Sequence, residues 1–475
     1  MKLKSLSAAL IALAGLSIAE PVVANSDKPL NVLMIAVDDL NNWPESWGGK
    51  AKTPNIDSLA AQGVQFTNAH AVVPACNPSR VAVMTGQRPE VTGQHKNEGN
   101  FRKMPGGQNR VTLPQLLRKN GYYAAGAGKL FHHPRGRSQN AKPLSDDISW
   151  NEQAKVLTGT GGGQHYQDKD GHAAWLKGAA TFEGKKISPY IREHGIWGAI
   201  PDKTEQTGDW QTAEYCYDFL QKSHDKPFFL GCGIFRPHSP QKYFDMYPIE
   251  SIELPESPAD DMQDIPKRQR NNWSTSFARK VISDKAEWKR AVQAYLASTT
   301  FADDCIGRIL EGLEQSKYKD NTVVVLWSDH GFQVGTKQRW EKFSLWHQAT
   351  NAPYIIKAPG VKPARIDQPV SLLSVYPTVI DLVNVDEDTN HKLGGKSLVP
   401  LLKQPNMEWP YPAVVTYYPK NHSIRYKNWN YIQYDDGSRE LYDHNNDPRE
   451  YNNLAGNKKY LSVMSDLQKW IPSSD

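Results

Sequence analysis

NVLMIAV, residues Asn31 to Val37, is an unbroken apolar run of strand length that stops at Asp38-Asp39. A strand with one wet face alternates apolar and polar residues, so a run without alternation fits a central strand covered on both faces. Similar runs recur at Tyr122 to Ala127, Phe228 to Ile234 and Thr322 to Ser328 (TVVVLWS). Between them lie helical patterns at Asn55 to Gln62, Ser79 to Thr85, Leu113 to Lys119, Thr212 to Ser223 and Asp284 to Gln315. Strands alternating with helices predict an α/β fold, a central sheet flanked by helices on both faces. The texture changes after residue 385. There Val414 to Tyr417, Trp429 to Tyr434 and Glu440 to Tyr442 read as short strands, with Asp435-Asp436-Gly437 as a hairpin signal. The expected division is a main α/β domain over 25–385 and a small C-terminal antiparallel-sheet subdomain with a packed helix over 386–475. Gly159 to Gly163 and Asp245 to Asn272 read as long loops, which in α/β proteins often build the site.

With 475 residues the chain can bury a large core, and its 23% charged residues are ordinary for a globular protein. The net charge of +5 comes with no Lys/Arg-rich run or basic helix, so nucleic acid is not an expected partner. The first 24 residues read as a signal peptide. Lys2 and Lys4 precede an apolar stretch from Leu6 to Ile18, and Val22-Val23-Ala24 offers small residues for cleavage after Ala24. That stretch is too short for a membrane anchor, so a secreted or periplasmic protein is expected. Four cysteines fit neither a zinc knuckle nor a disulfide framework by spacing. Cys216, Cys232 and Cys305 lie in apolar or helical stretches and read as buried structural thiols. Cys76 differs, because it sits in a polar turn leading into a helix.

In open α/β sheets ligands bind beyond the carboxyl ends of the strands. Asp38-Asp39 follows one apolar strand and Asp329-His330-Gly331 follows another, so three carboxylates and an imidazole gather at two strand ends. That set suits a hard cation, although Asp at such places is often only a turn or cap residue. The sharpest signal is Cys76-Asn77-Pro78-Ser79-Arg80, followed by Thr85-Gly86. A chance C-x-P-S-R in a chain this long is about a one-in-a-thousand event.

Through C-x-P-S-R-x-x-x-x-T-G the sequence resembles the type I, formylglycine-dependent sulfatases of the alkaline phosphatase superfamily. The likeness runs from Asn31 to the Leu441-Tyr442-Asp443…Asp447-Pro448 segment. It is nearest to the iduronate-2-sulfatase-like branch through Asp38-Asp39-Leu40-Asn41, Gly128-Lys129-Leu130-Phe131-His132 and Arg236-Pro237-His238. The resemblance implies an alkaline-phosphatase-like central mixed sheet and a formylglycine made from Cys76 by a dedicated maturation enzyme. The hydrated aldehyde would attack sulfur with one hydroxyl and expel sulfate with the other, an exit that a thiol or serine lacks. Calcium would be held by Asp38, Asp39, Asp329 and His330, with the residue-76 oxygen completing its shell. Many sulfatases carry Asn where His330 stands, and the iduronate-2-sulfatase-like branch carries His. Arg80 would pair with the diol and brace the turn. Lys129 and His132, three apart, can face one site, with His132 as the base that triggers sulfate elimination. His238 would protonate the leaving alcohol and Lys342 would bind a sulfate oxygen. His133, beside His132, is the point of confusion.

Two other readings stay open at this level. A phosphatase or phosphodiesterase of the same superfamily commonly uses Ser or Thr with two zinc ions and needs a second ligand set. A non-catalytic glycan-binding relative would need no nucleophile. The branch implies a sulfated oligosaccharide substrate, from an algal galactan or ulvan or of glycosaminoglycan type. Trp340, Trp346, Tyr417 and Tyr418 could stack on sugars, and His422, Ser423 and Arg425 could contact an anionic one.

Overall fold

The computed structural model describes residues 29–132, 146–154, 181–182, 185–186, 197–199, 203–235, 239–270, 273–387, 389 and 391–472. The expected signal peptide, His133, the loop from Gly159 to Gly163 and the motif Arg236-Pro237-His238 lie outside the described residues. Eight strands form the central sheet: β1 (Asn31–Val37), β2 (Val64–Phe66), β3 (Tyr123–Gly128), β4 (Glu152–Gln153), β5 (Phe228–Ile234), β6 (Thr322–Ser328), β7 (Tyr354–Lys357) and β8 (Ala364–Ile366). Their order across the sheet is β8-β2-β7-β6-β1-β5-β3-β4. β1 pairs in parallel with both β5 and β6, while β7 runs antiparallel to β6 and β2, so the sheet is mixed.

β1 shows why its sequence does not alternate. Leu33, Ile35 and Val37 enter one core with helices α1 (Pro54–Gln62), α4 (Gly208–Gln221) and α5 (Lys285–Glu314). Val32, Met34 and Ala36 enter a second core on the opposite face, with α2 (Cys76–Thr85) and α3 (Leu113–Lys119). Successive side chains of a strand point to opposite faces, so two covered faces demand apolar residues at every position. The four central strands match their expected runs to within one residue. The structure adds β2, β4, β7 and β8.

The C-terminal sheet is a four-stranded antiparallel meander of β9 (Ala413–Thr416), β10 (His422–Tyr426), β11 (Trp429–Gln433) and β12 (Arg439–Asp443). Gly437 turns the last hairpin at φ 82°, a left-handed conformation that glycine adopts without strain. Helix α6 (Leu461–Gln468) packs Met464 and Leu467 against Ile424, Tyr431 and Leu441. Strand β10 was not expected. It is half polar in sequence, yet buries Ser423 and Arg425 through internal partners.

One cysteine reading is corrected. Cys216 and Cys232 form a disulfide that ties α4 to β5, while Cys76 and Cys305 are free and buried. Sixteen residues separate the pair, and it is helix-on-sheet packing that brings the two sulfurs together. Among the described residues no helix is long and apolar enough to cross a membrane.

Candidate functional site

The carboxyl ends of β1 and β6 are adjacent, so Asp38-Asp39 and Asp329-His330 meet. Asp39 sits at φ 56°, a left-handed conformation that Asp tolerates better than most residues, and its backbone N–H donates to Asp329 Oδ1 at 3.2 Å. Tyr295, reaching over from α5, locks this turn by donating to Asp39 O at 2.7 Å and accepting from Asn41 N at 2.9 Å. Ser328 Oγ accepts from Leu40 N and donates to His330 O, tying the two strand ends together.

Helix α2 points its N-terminus into this corner, and Cys76 is its first residue. All ten residues of the helix are buried, and Cys76 is 3% exposed. Its Sγ lies 3.3 Å from His330 Nε2, at the position the expected formylglycine oxygen would take. The opposite nitrogen, His330 Nδ1, faces Gly331 O at 2.9 Å, which requires the proton there. Nε2 faces Cys76, 3.6 Å from both Asp39 Oδ1 and Asp329 Oδ1. Burial lowers this imidazole, but Asp329 and Cys76 raise it to about 9, so ligating a cation through Nε2 would require loss of its proton.

Arg80, one turn along α2, is fully buried. Its Nε donates to Asp329 Oδ2 at 2.8 Å, Nη2 to Asp38 Oδ1 at 3.1 Å, and Nη1 to the carbonyls of Lys129 and Leu130. The guanidinium is thus committed to bracing carboxylates and backbone. Lys129 Nζ reaches Asp38 Oδ2 and Lys342 Nζ reaches Asp39 Oδ1, each at 2.6 Å. Gly128, at φ 70°, lets the chain pass so close to β5 that a Cβ would lie 2.0 Å from Gly233 O. Lys129 N then bonds Gly233 O, which aims the lysine inward.

These neighbours set the charges. Burial would raise Asp38, but Lys129 and Arg80 hold it well below the usual carboxylate range. Burial raises Asp329 to about 7 against the pull of Arg80 and His330. At Cys76, burial and Asp38 push the thiol up, while Lys129, Lys342 and His330 more than offset them and bring it below its ordinary value. His132 is lowered to about 3 by burial and by Lys129, with Arg80 and Lys342 adding to this, so it is neutral at physiological pH. Its buried Nδ1 has no hydrogen-bond partner among the described residues.

Two overlapping sets of potential metal ligands, Asp39–Cys76–His330 and Asp38–Cys76–Asp329, have their ligand atoms within 4.8 Å of one another. Both include residue 76, so they form one centre. Three converging carboxylates and one imidazole nitrogen fit a hard divalent cation. The structure thus brings together Asp38, Asp39, Cys76, Arg80, Lys129, His132, Asp329, His330 and Lys342 as expected, and His238 lies outside the described residues. Several sugar-contact expectations are corrected. Ser423 is fully buried on Asn430 Oδ1, and Arg425 is an interior ion pair with Glu450 Oε1 at 2.9 Å. Trp340 and Trp346 are core residues at 3% and 2% exposure, and His422 is buried beside Thr416. Tyr418 remains exposed. The support residues Tyr295 and Ser328 were missed, because one-to-one hydrogen-bond braces leave no pattern in a sequence.

The model of the sulfatase family matches residues 30–385, a span that contains this whole centre. The chain belongs to the sulfatase family. It is a type I sulfatase of the alkaline phosphatase superfamily, and so a sulfuric ester hydrolase. A second model, "N-sulphoglucosamine sulphohydrolase, C-terminal", matches residues 335–474 of this sulfatase. A sulfatase of Formosa agariphila is 38% identical over 94% of the chain and 87% of its own length. Human iduronate 2-sulfatase is 30% identical over 70% of the chain and 60% of its own length. Among solved structures, one described as bound to its substrate D-glucosamine-2-N,6-O-disulfate superposes with a TM-score of 0.68 at 21% identity, covering 93% of this sulfatase and 96% of that chain. A phosphonate monoester hydrolase of Silicibacter pomeroyi gives 0.72 at 20% identity, covering 93% and 94%. The fold is shared by hydrolases of different esters, so the choice of ester rests on the site and the family.

Proposed function

We propose that this sulfatase removes sulfate from a sulfated oligosaccharide, of the algal galactan, ulvan or glycosaminoglycan type, using a formylglycine made from Cys76 and a calcium ion. The observation that carries the reading is the setting of Cys76. It begins a buried helix, 3.3 Å from His330 Nε2, ringed by three carboxylates and three basic side chains. The sugar names of relatives and of the substrate-bound structure support the carbohydrate class.

Asp38, Asp39, Asp329 and His330 would hold calcium, which supplies positive charge to the sulfuryl oxygens and acidifies the nucleophilic hydroxyl. Lys129 and Lys342 add two buried cations on either side of residue 76, suited to charge building up on sulfate oxygens. Arg80 holds Asp38 and Asp329 in fixed orientation. His132, neutral and with an unpartnered nitrogen, is poised to take the proton whose removal expels sulfate. His238, just beyond the end of β5, is proposed to donate a proton to the leaving sugar oxygen. A maturation enzyme reading Cys76 to Arg80 is required, and export through residues 1–24 is proposed. The disulfide Cys216–Cys232 supports an oxidising compartment.

The deciding experiment measures sulfate release from defined sulfated oligosaccharides by matured protein, with peptide mass analysis of residue 76. The two-zinc phosphatase reading would be favoured if phosphate esters were cleaved faster than sulfate esters by protein carrying an unmodified thiol.

A further inference from the structure

Two segments outside the catalytic set converge beside it. The first is the loop 94–99, which Gln94 folds on itself by donating from Nε2 to Lys96 O at 2.6 Å and Glu98 O at 2.8 Å. Asn77, the neighbour of Cys76, fastens that loop to the reaction centre. Its N–H donates to Asn97 Oδ1 at 3.0 Å, and its Nδ2 to Asn97 O and Gly99 O. The second is the turn after β9. Thr416 N bonds Val72 O, Tyr417 packs on Phe343 with ring centroids 6.2 Å apart, and Phe343 N bonds Pro74 O. Phe343 follows Lys342. Lys96 and Tyr418 therefore each stand one residue beyond contacts that flank Cys76 and Lys342.

They also face each other. Lys96 Nζ lies over the Tyr418 ring, 5.6 Å from its centroid, and both residues are exposed. Among the described residues no carboxylate forms an ion pair with Lys96. Two residues before Tyr418, Thr416 Oγ1 donates to Glu90 Oε1 and lies 3.1 Å from His422 Nδ1, while Glu90 Oε2 pairs with Arg88 Nε at 3.4 Å, which anchors the turn. An exposed cation held over an aromatic ring offers what an acidic pyranose needs: a counter-charge and an apolar face.

We propose that Lys96 and Tyr418 form a sugar subsite in which Lys96 recognises a second anionic group of the substrate, a carboxylate or a further sulfate. The inference rests on the sulfated-carbohydrate reading and adds that the sugar bears two negative groups.

The test measures affinity as inhibition of 4-nitrophenyl sulfate hydrolysis by matured protein. One probe pair is a sulfated uronate-containing disaccharide and its carboxyl-reduced counterpart, and the other is a disulfated disaccharide and its monosulfated counterpart. Wild type should prefer the more anionic member of at least one pair, and that pair identifies the group read. Lys96→Ala should shrink the preference by about tenfold, and Lys96→Arg should retain most of it. Tyr418→Ala should weaken both members of the pair alike. No preference in wild type, an unchanged preference in Lys96→Ala, or equal loss in Lys96→Ala and Lys96→Arg would overturn the subsite alone. Wild type that hydrolyses neither the aryl sulfate nor any saccharide would overturn the parent reading with it.

Discussion

Arg80 and Asp329 form an ion pair in which neither side chain has any solvent exposure, Nε donating to Oδ2 at 2.8 Å. A buried pair is not a large source of stability, but a single member left behind is costly, typically about 3–5 kcal/mol. Arg80→Leu should therefore lower the urea midpoint strongly and abolish sulfate release. Arg80→Lys restores charge but cannot span Asp38, Asp329 and two carbonyls at once. It should regain part of the stability and little activity. Equal melts for wild type and Arg80→Leu would contradict the bracing role.

Maturation can be read directly. Active protein should yield a residue-76 peptide in which the thiol carbon has become an aldehyde, sulfur being replaced by oxygen with loss of two hydrogens. Cys76→Ala should fold and melt near wild type, yet release no sulfate. Activity from protein bearing only the thiol would remove the proposed nucleophile.

Asp39 separates cation binding from backbone geometry. Because Asn also tolerates φ 56°, Asp39→Asn should keep the turn while losing a charged ligand. Calorimetric titration with calcium should show at least tenfold weaker binding than wild type. Chelation should lower wild-type activity, and added calcium should restore it. Unchanged affinity in Asp39→Asn would place the ion elsewhere.

His132 and His238 should fail differently. An aryl sulfate leaves as a stabilised phenolate and needs little acid help, whereas a sugar alkoxide needs much. His238→Ala should lose about a hundredfold or more on the sugar substrate and far less on the aryl one. His132→Ala blocks the expulsion of sulfate, so residue 76 should gain the mass of a sulfate group after incubation with substrate. Equal losses on both substrates for His238→Ala, with no adduct for His132→Ala, would reverse these assignments.

The junction between the main domain and the C-terminal sheet should be acid-sensitive. His70 is held well below its ordinary value by burial, with Arg425, His347 and His444 adding to this, and His347 by burial and then His444 and Arg425. A histidine whose folded value is depressed contributes stability that is full above about 6.5 and is lost as the pH falls, when the unfolded chain alone takes the proton. Each can steepen the loss by up to about 1.4 kcal/mol per pH unit. Glu450, held low despite burial by Arg425 and His444, extends the loss below the ordinary glutamate range. Thermal melts from pH 8 to 4 should fall, with a shallower acid limb for His70→Gln. Parallel curves would remove His70 from the account.

What could be read from the residues follows from how each is used. β1, β5 and β6 announce themselves because two covered faces leave no room for polar positions. β2, β4, β7 and β8 are shorter and carry Gln65, Glu152, Gln153, Lys357 and Arg365, so their sheet membership comes from partners distant in sequence. In β10, Arg425 is buried only because Glu450 waits across the interface, a pairing no local pattern encodes. The convergence of Asp38, Asp39, Asp329 and His330 was legible since Asp and His interrupt apolar strands at their ends. Tyr295 was not, being one buried position among many in a long helix.

The burial of all ten residues from Cys76 to Thr85 bears on the order of events in the life of the molecule. An enzyme that oxidises Cys76 has to grip the chain on both sides of it, and the folded protein offers no such segment. The proposed conversion would therefore belong to the interval before folding closes over the cysteine, and a chain that folded first would keep its thiol in place, intact in shape but without the proposed nucleophile.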